Sequence, residues 1–212
     1  MAFIETAWRR YTKHSRNKAQ EIQGAILPLV ETHRGSAPFV GVILAGVFTE
    51  GALNQLKSLG FVVVYFPYER IIRAFRRVGI DAASSENSPD AEFAEKVEAW
   101  ESLAITKRIS VAKAVIRASK HDLRDFMTKL EQAALRRILS VRILALHGVT
   151  SDFTSVEAAI AFVRDYEEGE GIKPIVGYEI QIRYSNGDRI DGRFADKTAA
   201  IGFLASYQNG QG

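Results

Sequence analysis

The residues best suited to chemistry stand at the start of the chain, where one carboxylate precedes a dense run of positive charge. Glu5 lies in residues 3–8, FIETAW, which can form a short strand. The basic side chains that follow it closely are Arg9, Arg10, Lys13, Arg16 and Lys18. A carboxylate at the end of a strand, with cations close behind it, can hold Mg²⁺ against a phosphodiester. Such catalysis normally needs at least two carboxylates, so an ordinary surface glutamate and a solvated basic face remain the alternatives on these residues alone.

Other catalytic and cofactor motifs are missing from the sequence. The chain has no cysteine, which excludes disulfides and thiolate metal sites. Its histidines are scattered without the spacing of metal ligands. There is no phosphate-binding loop of the P-loop type, no G-x-G-x-x-G turn after a strand, and no G-x-S-x-G elbow.

The composition is that of an ordinary globular protein, with its positive charge concentrated near the start. Of the 212 residues, 47% are hydrophobic and 25% are charged, and the net charge is +3. Residues 1–80 hold 11 Lys and Arg against 5 Asp and Glu, which indicates either an anionic partner or a basic surface kept for solubility. Because no apolar run could span a bilayer and the N-terminus lacks a signal-peptide core, we expect a cytoplasmic protein without a membrane partner.

The elements that would position the early carboxylate are a helix and a strand–helix–strand unit. Residues 15–33 have helical apolar spacing, in which Pro28 would introduce a kink or an early end. Residues 39–69 begin and end with an apolar strand, and the helix between them is capped by Thr49 and ended by Gly60. Short apolar runs on both sides of a one-faced helix predict parallel strands that are buried on both faces.

Residues 4–81 resemble the second half of a restriction-endonuclease-like nuclease, the family with the PD-(D/E)xK motif. In that family a strand carries (D/E)-x-K, a basic or glutamine-bearing helix follows, and strand, helix and strand complete the sheet. Residues 5–8 (ETAW) occupy the place of E-x-K, SRNKAQEIQGAI that of the helix, and FVGVILAG and FVVVYFPYE those of the later strands. The resemblance implies an α/β fold with a restriction-endonuclease-like sheet and flanking helices. It also implies that Glu5 is a ligand of Mg²⁺, with Gln20 and Gln23 facing the site or touching the nucleic acid.

The chain departs from the family motif in two places. Ala7 occupies the lysine position, and the strand with the family's metal-binding aspartate would precede Met1. In some relatives the lysine comes from the following helix, so Lys18 or Lys13 is a candidate substitute. The sequence leaves open a fragment of a longer protein, a degenerate relative, or an introduced inactivating change at Ala7. The side chains that suit phosphate contacts are Arg9, Arg10, Lys13 and Arg16.

The chain divides into three segments by its patterns. Residues 1–80 form the nuclease-like core, residues 81–136 are a helical segment, and residues 137–212 are a small α+β domain. In the last segment, residues 153–166 and 194–207 share F-x4-A-A-I-x-F-x3-Y at an offset of 41 residues. This match indicates either a duplicated strand–helix unit or a chance likeness between two amphipathic helices.

These observations favour a nuclease-like DNA-binding protein, an endonuclease with metal-dependent phosphodiester hydrolysis if its active site is complete. The alternative is a catalytically inactive nuclease-like scaffold that binds nucleic acid or protein. A third interpretation, a Rossmann-like binder of small molecules, is weakened by the missing glycine fingerprint. If the sheet lacks its first strands, residues 3–8 form an exposed edge, which predicts either a homodimer or aggregation through that edge.

Overall fold

The chain contains two sheets with helices around them, so its fold belongs to the mixed α/β class that the sequence predicts. The computed structural model describes residues 1–10, 15–168 and 175–208. The chain divides into unit 1 (Met1–Glu131) and unit 2 (Gln132–Gly212). In the described ranges, no helix has both the length and the apolar character that crossing a membrane would require.

Unit 1 is built on a parallel three-stranded sheet in the order β1–β2–β3. Its strands and the two crossover helices are β1 (Ala2–Arg9), α1 (Ser15–Thr32), β2 (Phe39–Gly46), α2 (Glu50–Ser58) and β3 (Val62–Pro67). Both helices pack on the same face of the sheet, because their buried side chains join those of β2 in one cluster. The members on these elements are Ala19, Ile22, Ile26, Val42, Leu44, Ala52 and Leu56. Among the described residues β1 pairs only with β2, so its other edge is open.

Helix α1 runs through Pro28, where the sequence left a kink or an early end open. Proline removes one backbone donor, and its ring crowds the carbonyl four residues earlier, here that of Gly24. Both Gly24 and Pro28 are exposed, and nothing would lie within 4 Å of a Cβ atom at Gly24. Water can therefore reach this turn, and the buried stripe on the opposite side of α1 holds the helix on the sheet.

Local signals set the ends of α2 as the sequence predicts. The Thr49 side chain accepts a hydrogen bond from the Ala52 amide, at 3.2 Å, which caps the first turn. Gly60 follows the last turn with a φ of +86°, a conformation that glycine adopts without steric cost. Strand β3 begins two residues later.

Four more helices follow β3, and they are α3 (Tyr68–Arg76), α4 (Asp90–Glu101), α5 (Ile105–Ala118) and α6 (Lys120–Ala134). Phe126 of α6 packs edge-to-face on Phe39 of β2, with ring centroids 5.2 Å apart, so α6 covers the second face of the sheet. The break between α5 and α6 falls at Ser119. Asp122 lies in the first turn of α6, a position that favours an acidic side chain.

Unit 2 contains an antiparallel four-stranded sheet in the order β5–β4–β6–β7. Its elements are β4 (Ile138–Ala145), β5 (Val149–Phe153), α7 (Val156–Asp165), β6 (Tyr178–Tyr184), β7 (Arg189–Phe194) and α8 (Lys197–Ala205). The offset of 41 residues relates β5 to β7, α7 to α8 and the N-caps Ser155 and Asp196. Unit 2 thus consists of two strand–strand–helix halves whose inner strands, β4 and β6, pair with each other.

Candidate active site on the open edge of the parallel sheet

Glu5 lies in the middle of β1, on the face that α1 covers. Exposure alternates along this strand, with Phe3, Glu5, Ala7 and Arg9 half-buried and their neighbours exposed. Glu5 stands opposite Val42 of β2, and its side chain is 36% exposed. Because β1 is an edge strand in the described part of the chain, solvent reaches this carboxylate from the side.

Lys18 of α1 reaches back to Glu5. Its Nζ atom lies 3.9 Å from Glu5 Oε1 and 3.3 Å from Glu21 Oε2, and its side chain is 19% exposed. Lys18 is one of the two residues that the sequence offers as a substitute for a lysine at position 7, and the other, Lys13, lies outside the described residues. The structure therefore brings together a carboxylate of β1 and an ammonium group of α1.

The packing of α1 explains why Lys18 points to β1. Ala19, Ile22 and Ile26 form the buried stripe of the helix, and Lys18 stands at the margin of that stripe. A lysine at such a margin can lay its aliphatic stem along apolar surface while its ammonium group reaches a polar partner. The partner here is Glu5, together with Glu21 one turn further along α1.

Glu21 pairs with a second cationic side chain, Arg9, in addition to Lys18. Arg9 donates from Nη2 to Glu21 Oε2, at 3.4 Å, and from Nη1 to the Trp8 carbonyl, at 3.3 Å. The Arg9 Nε atom is buried without a hydrogen-bond partner in the described ranges. Glu5 and Glu21 therefore balance the charges of Lys18 and Arg9.

Arg10 is held by the loop between α3 and α4 rather than by this cluster. Its Nη2 atom donates to the Ser85 carbonyl, at 3.2 Å, and its guanidinium carbon lies 4.7 Å from the centre of the Phe93 ring. A guanidinium group over an aromatic face is attracted by the ring. Arg10 thus ties the end of β1 to the loop, a role that the sequence did not indicate.

The remaining predicted contacts spread around α1. Arg16 and Gln20 are exposed, and Lys13 lies outside the described residues. Gln23 accepts a hydrogen bond from Gln55 Nε2 of α2, at 3.2 Å. Positions 18 and 23 are about 140° apart around a helix, so Gln23 faces α2 and not Glu5, contrary to the sequence-based expectation.

Ala7 points to the same side of β1 as Glu5 and packs against the apolar cluster beneath α1 and α2. A lysine at position 7 would start in apolar surroundings. The ammonium group nearest to Glu5 is that of Lys18 on α1, 3.9 Å away.

The donor set around Glu5 is small. Within the described ranges, no group of three or more His, Asp or Glu side chains is placed to hold a metal ion. Glu5 and Glu21 both lie within 4 Å of Lys18 Nζ. Proteins often bind Mg²⁺ through one or two carboxylates, with water and substrate phosphates as the other ligands. The residues therefore suit a cation whose other ligands are water and phosphate oxygens, and they do not supply a full set of ligands by themselves.

Glu21 is the residue of this cluster that the sequence analysis missed. It lies three residues after Lys18, and side chains at this spacing are neighbours on a helix. A search for a second carboxylate on the same side of the helix as Lys18 would have found it.

Comparisons of the chain with models of known protein families, with curated proteins and with solved structures find no match. A functional assignment therefore depends on the chemistry and geometry of the residues themselves.

Proposed function

We propose that this chain is a nuclease-like protein that binds DNA and hydrolyses phosphodiester bonds with the help of Mg²⁺. The observation that carries the proposal is the approach of Lys18 to Glu5, 3.9 Å apart, because it supplies from α1 the ammonium group that residue 7 lacks. The succession β1–α1–β2–α2–β3 and its parallel pairing support the resemblance to the restriction-endonuclease-like sheet.

Each charged residue of the cluster has a role in this proposal. Glu5 and Glu21 would hold the cation together with oxygen atoms of the DNA phosphate. A cation held there would act as a Lewis acid on the phosphoryl group and would make bound water more acidic. Lys18 stabilises the negative charge that develops on the phosphate, and Arg9 and Arg16 contact the neighbouring phosphates.

Glu21 also neutralises positive charge in the protein before DNA binds. Its carboxylate pairs with both Lys18 and Arg9, so the two cations are neutralised until a phosphate competes for them. Glu21→Gln should therefore tighten DNA binding while it lowers cleavage. Tighter DNA binding with unchanged cleavage would mean that Glu21 only pairs with Lys18 and Arg9 and has no role in cleavage.

The test is a cleavage time course on labelled duplex and single-stranded DNA with Mg²⁺ or Mn²⁺. We expect Glu5→Gln and Lys18→Met each to lower the rate by about 10²- to 10⁴-fold, as the loss of a catalytic group does. The matched controls are Glu31→Gln and Lys57→Met, which make the same changes at exposed positions of α1 and α2. Full cleavage by Lys18→Met, or equal losses in the controls, would contradict the proposal.

A rescue experiment examines the assignment of Lys18 directly. Ala7→Lys in the Lys18→Met background returns an ammonium group through the family's motif position. Partial recovery of cleavage would support a shared role for the two positions. A folded double variant, checked by circular dichroism, that stays inactive would restrict the role to Lys18.

The second candidate is a catalytically inactive nuclease-like scaffold that binds nucleic acid or protein. It is favoured by the absence of a three-ligand metal group from the described residues. DNA binding that falls with rising salt and weakens in Arg16→Glu, without cleavage by any variant, would support this candidate. If the chain neither binds nor cleaves DNA, both roles on nucleic acid are refuted, and a scaffold that binds protein is the role that is left.

A further inference from the structure

Two consecutive helices of unit 1 carry opposite charges. Helix α4 has five acidic residues and one basic residue, whereas α5 has four basic residues and no acidic one. The acidic residues are Asp90, Glu92, Glu95, Glu98 and Glu101, and the basic residues of α5 are Lys107, Arg108, Lys113 and Arg117.

Within the described ranges, most of these charges have no opposite charge in reach. Glu92 pairs with Lys96 of its own helix, and Arg108 donates to the backbone carbonyls of Leu103 and Glu101. For the others the described part of the chain offers no ion pair, and they are Asp90, Glu95, Glu98, Glu101, Lys107, Lys113 and Arg117. Like charges three or four residues apart destabilise a helix, so each helix carries a repulsion that an oppositely charged neighbour would relieve.

Helix α5 also exposes an apolar stripe, on a different side from its buried residue Val111. Ile105, Ile109 and Ile116 are 65%, 44% and 53% exposed, and Ala112 between them is exposed as well. The spacing of four, three and four residues is that of a seam between two packed helices. Contiguous exposed apolar side chains within a charged surface mark an interaction site.

Helix α4 has a face that suits this stripe. Its exposed side presents the small side chain of Ala94 and the 54% exposed side chain of Val97. Glu98 and Glu101 lie next to them on the same side. An isoleucine stripe bordered by Lys113 can therefore pack on this surface with opposite charges facing each other.

We propose that α5 of one chain packs on α4 of a second copy, and α4 on α5 of that copy, in a two-fold symmetric dimer. A closed two-fold arrangement uses the same pair of surfaces twice, which is how most homo-oligomers assemble. Charge complementarity indicates that the partner on the α5 stripe is a second copy of this chain, whose α4 is acidic. The acidic α4 of the same chain would repel DNA and an anionic membrane. This inference does not depend on the proposed nuclease activity.

The first test is sedimentation equilibrium of the full chain over a range of concentrations. We expect a monomer–dimer equilibrium whose Kd rises about tenfold or more in Ile109→Asn and in Ile116→Asn, because buried apolar contacts at the centre are lost. The matched control is Met127→Asn on α6, where the replaced side chain is 47% exposed, and it should leave the Kd unchanged.

The second test assigns the partner surfaces by charge exchange. One variant reverses the acidic face, with Glu95→Lys, Glu98→Lys and Glu101→Lys. Another reverses the basic border of the isoleucine stripe, with Lys113→Glu and Arg117→Glu, which lie beside the stripe at 100° per residue. Each variant alone should be monomeric, because α4 and α5 then carry like charges, and a mixture of the two should form a heterodimer. Adding Ile109→Asn to both variants should remove the heterodimer, which separates helix packing from simple charge attraction.

Several results would overturn the proposal. The unchanged chain could be a monomer at all concentrations, or it could form a dimer that Ile109→Asn does not weaken, as expected for association through β1. The two charge variants could fail to associate when mixed. A monomer that uses Ile109 to bind vesicles of phosphatidylserine would assign the stripe to a membrane, and a monomer that Ile109→Asn destabilises would assign it to contacts within the same chain.

Discussion

Gly46, at the end of β2, should be the least replaceable glycine of unit 1. Its φ is +102°, and a Cβ atom at this position would lie 1.9 Å from the carbonyl oxygen of Arg9. That oxygen accepts a hydrogen bond from the Val47 amide, at 2.7 Å, which joins the ends of β1 and β2. Gly46→Ala therefore forces the strands apart next to the charged cluster around Glu5.

The free-energy cost of Gly46→Ala has two parts. Left-handed backbone costs a residue with a side chain about 1–2 kcal/mol. Moving the Arg9 carbonyl breaks its hydrogen bond to Val47 and leaves a half-buried amide without a partner, which costs about 1–3 kcal/mol more. We expect Gly46→Ala to lower the free energy of unfolding of unit 1 by about 2–5 kcal/mol.

Gly60→Ala is the matched control, because Gly60 has a φ of +86° and a Cβ atom added there would meet no other atom within 4 Å. It should cost only the backbone part, about 1–2 kcal/mol. Urea unfolding followed by tryptophan fluorescence measures the difference, since both tryptophans, Trp8 and Trp100, belong to unit 1. With an m-value of about 1–3 kcal/mol/M, an extra 2 kcal/mol lowers the urea midpoint by about 1 M. Equal midpoints for the two variants would refute the close contact between Gly46 and Arg9.

Three further predictions concern caps, core and pH. Ser155→Ala and Asp196→Ala should each cost about 1 kcal/mol, because each side chain caps its helix, and calorimetry should show a Tm about 4–8 °C lower for unit 2. Leu56→Ala should cost about 2–5 kcal/mol in tryptophan-monitored urea unfolding, because Leu56 is fully buried. Burial raises the pKa of Tyr207 to about 12, so the stability that its neutral phenol supplies is complete below about pH 10 and is lost as the pH rises toward 12. Tyr207→Phe should therefore reduce the fall in Tm of unit 2 between pH 10 and 12, and an unchanged fall would contradict this account.

The sequence predicts the central part of unit 1 well, because the signals there are local. Apolar runs mark β2 and β3, and Thr49 and Gly60 mark the ends of α2. Strand β5 is different, since Thr150, Ser151 and Asp152 give Val149–Phe153 no apolar alternation. Its pairing is set by β4, where Arg142 donates two hydrogen bonds to Asp152 across the strands, at 2.7 and 2.9 Å. Such a strand depends on a partner that its own residues do not reveal.

The candidate site is predictable in its residue types but only partly in its contacts. Glu5 and Lys18 stand out by chemistry, yet their approach depends on which face of β1 meets α1. Gln23 fits the family pattern by position, but the packing of α2 turns it to Gln55. Arg10 is bound by a carbonyl 75 residues away in sequence, a contact that no local pattern indicates.

The repeated strand–strand–helix arrangement of unit 2 has a consequence for its assembly. The two halves meet where β4 pairs with β6, from Ile138 opposite Tyr184 to Ala145 opposite Tyr178. The connection between α7 and β6 keeps the halves at a high effective concentration, of the order of millimolar for a short linker. A chain cut in that connection would lose this advantage but keep every strand pair, so its halves would hold together only above the dissociation constant of their whole contact, in which α7 packs on α8 as β4 pairs with β6. The covalent link thus turns an association that depends on dilution into one that does not.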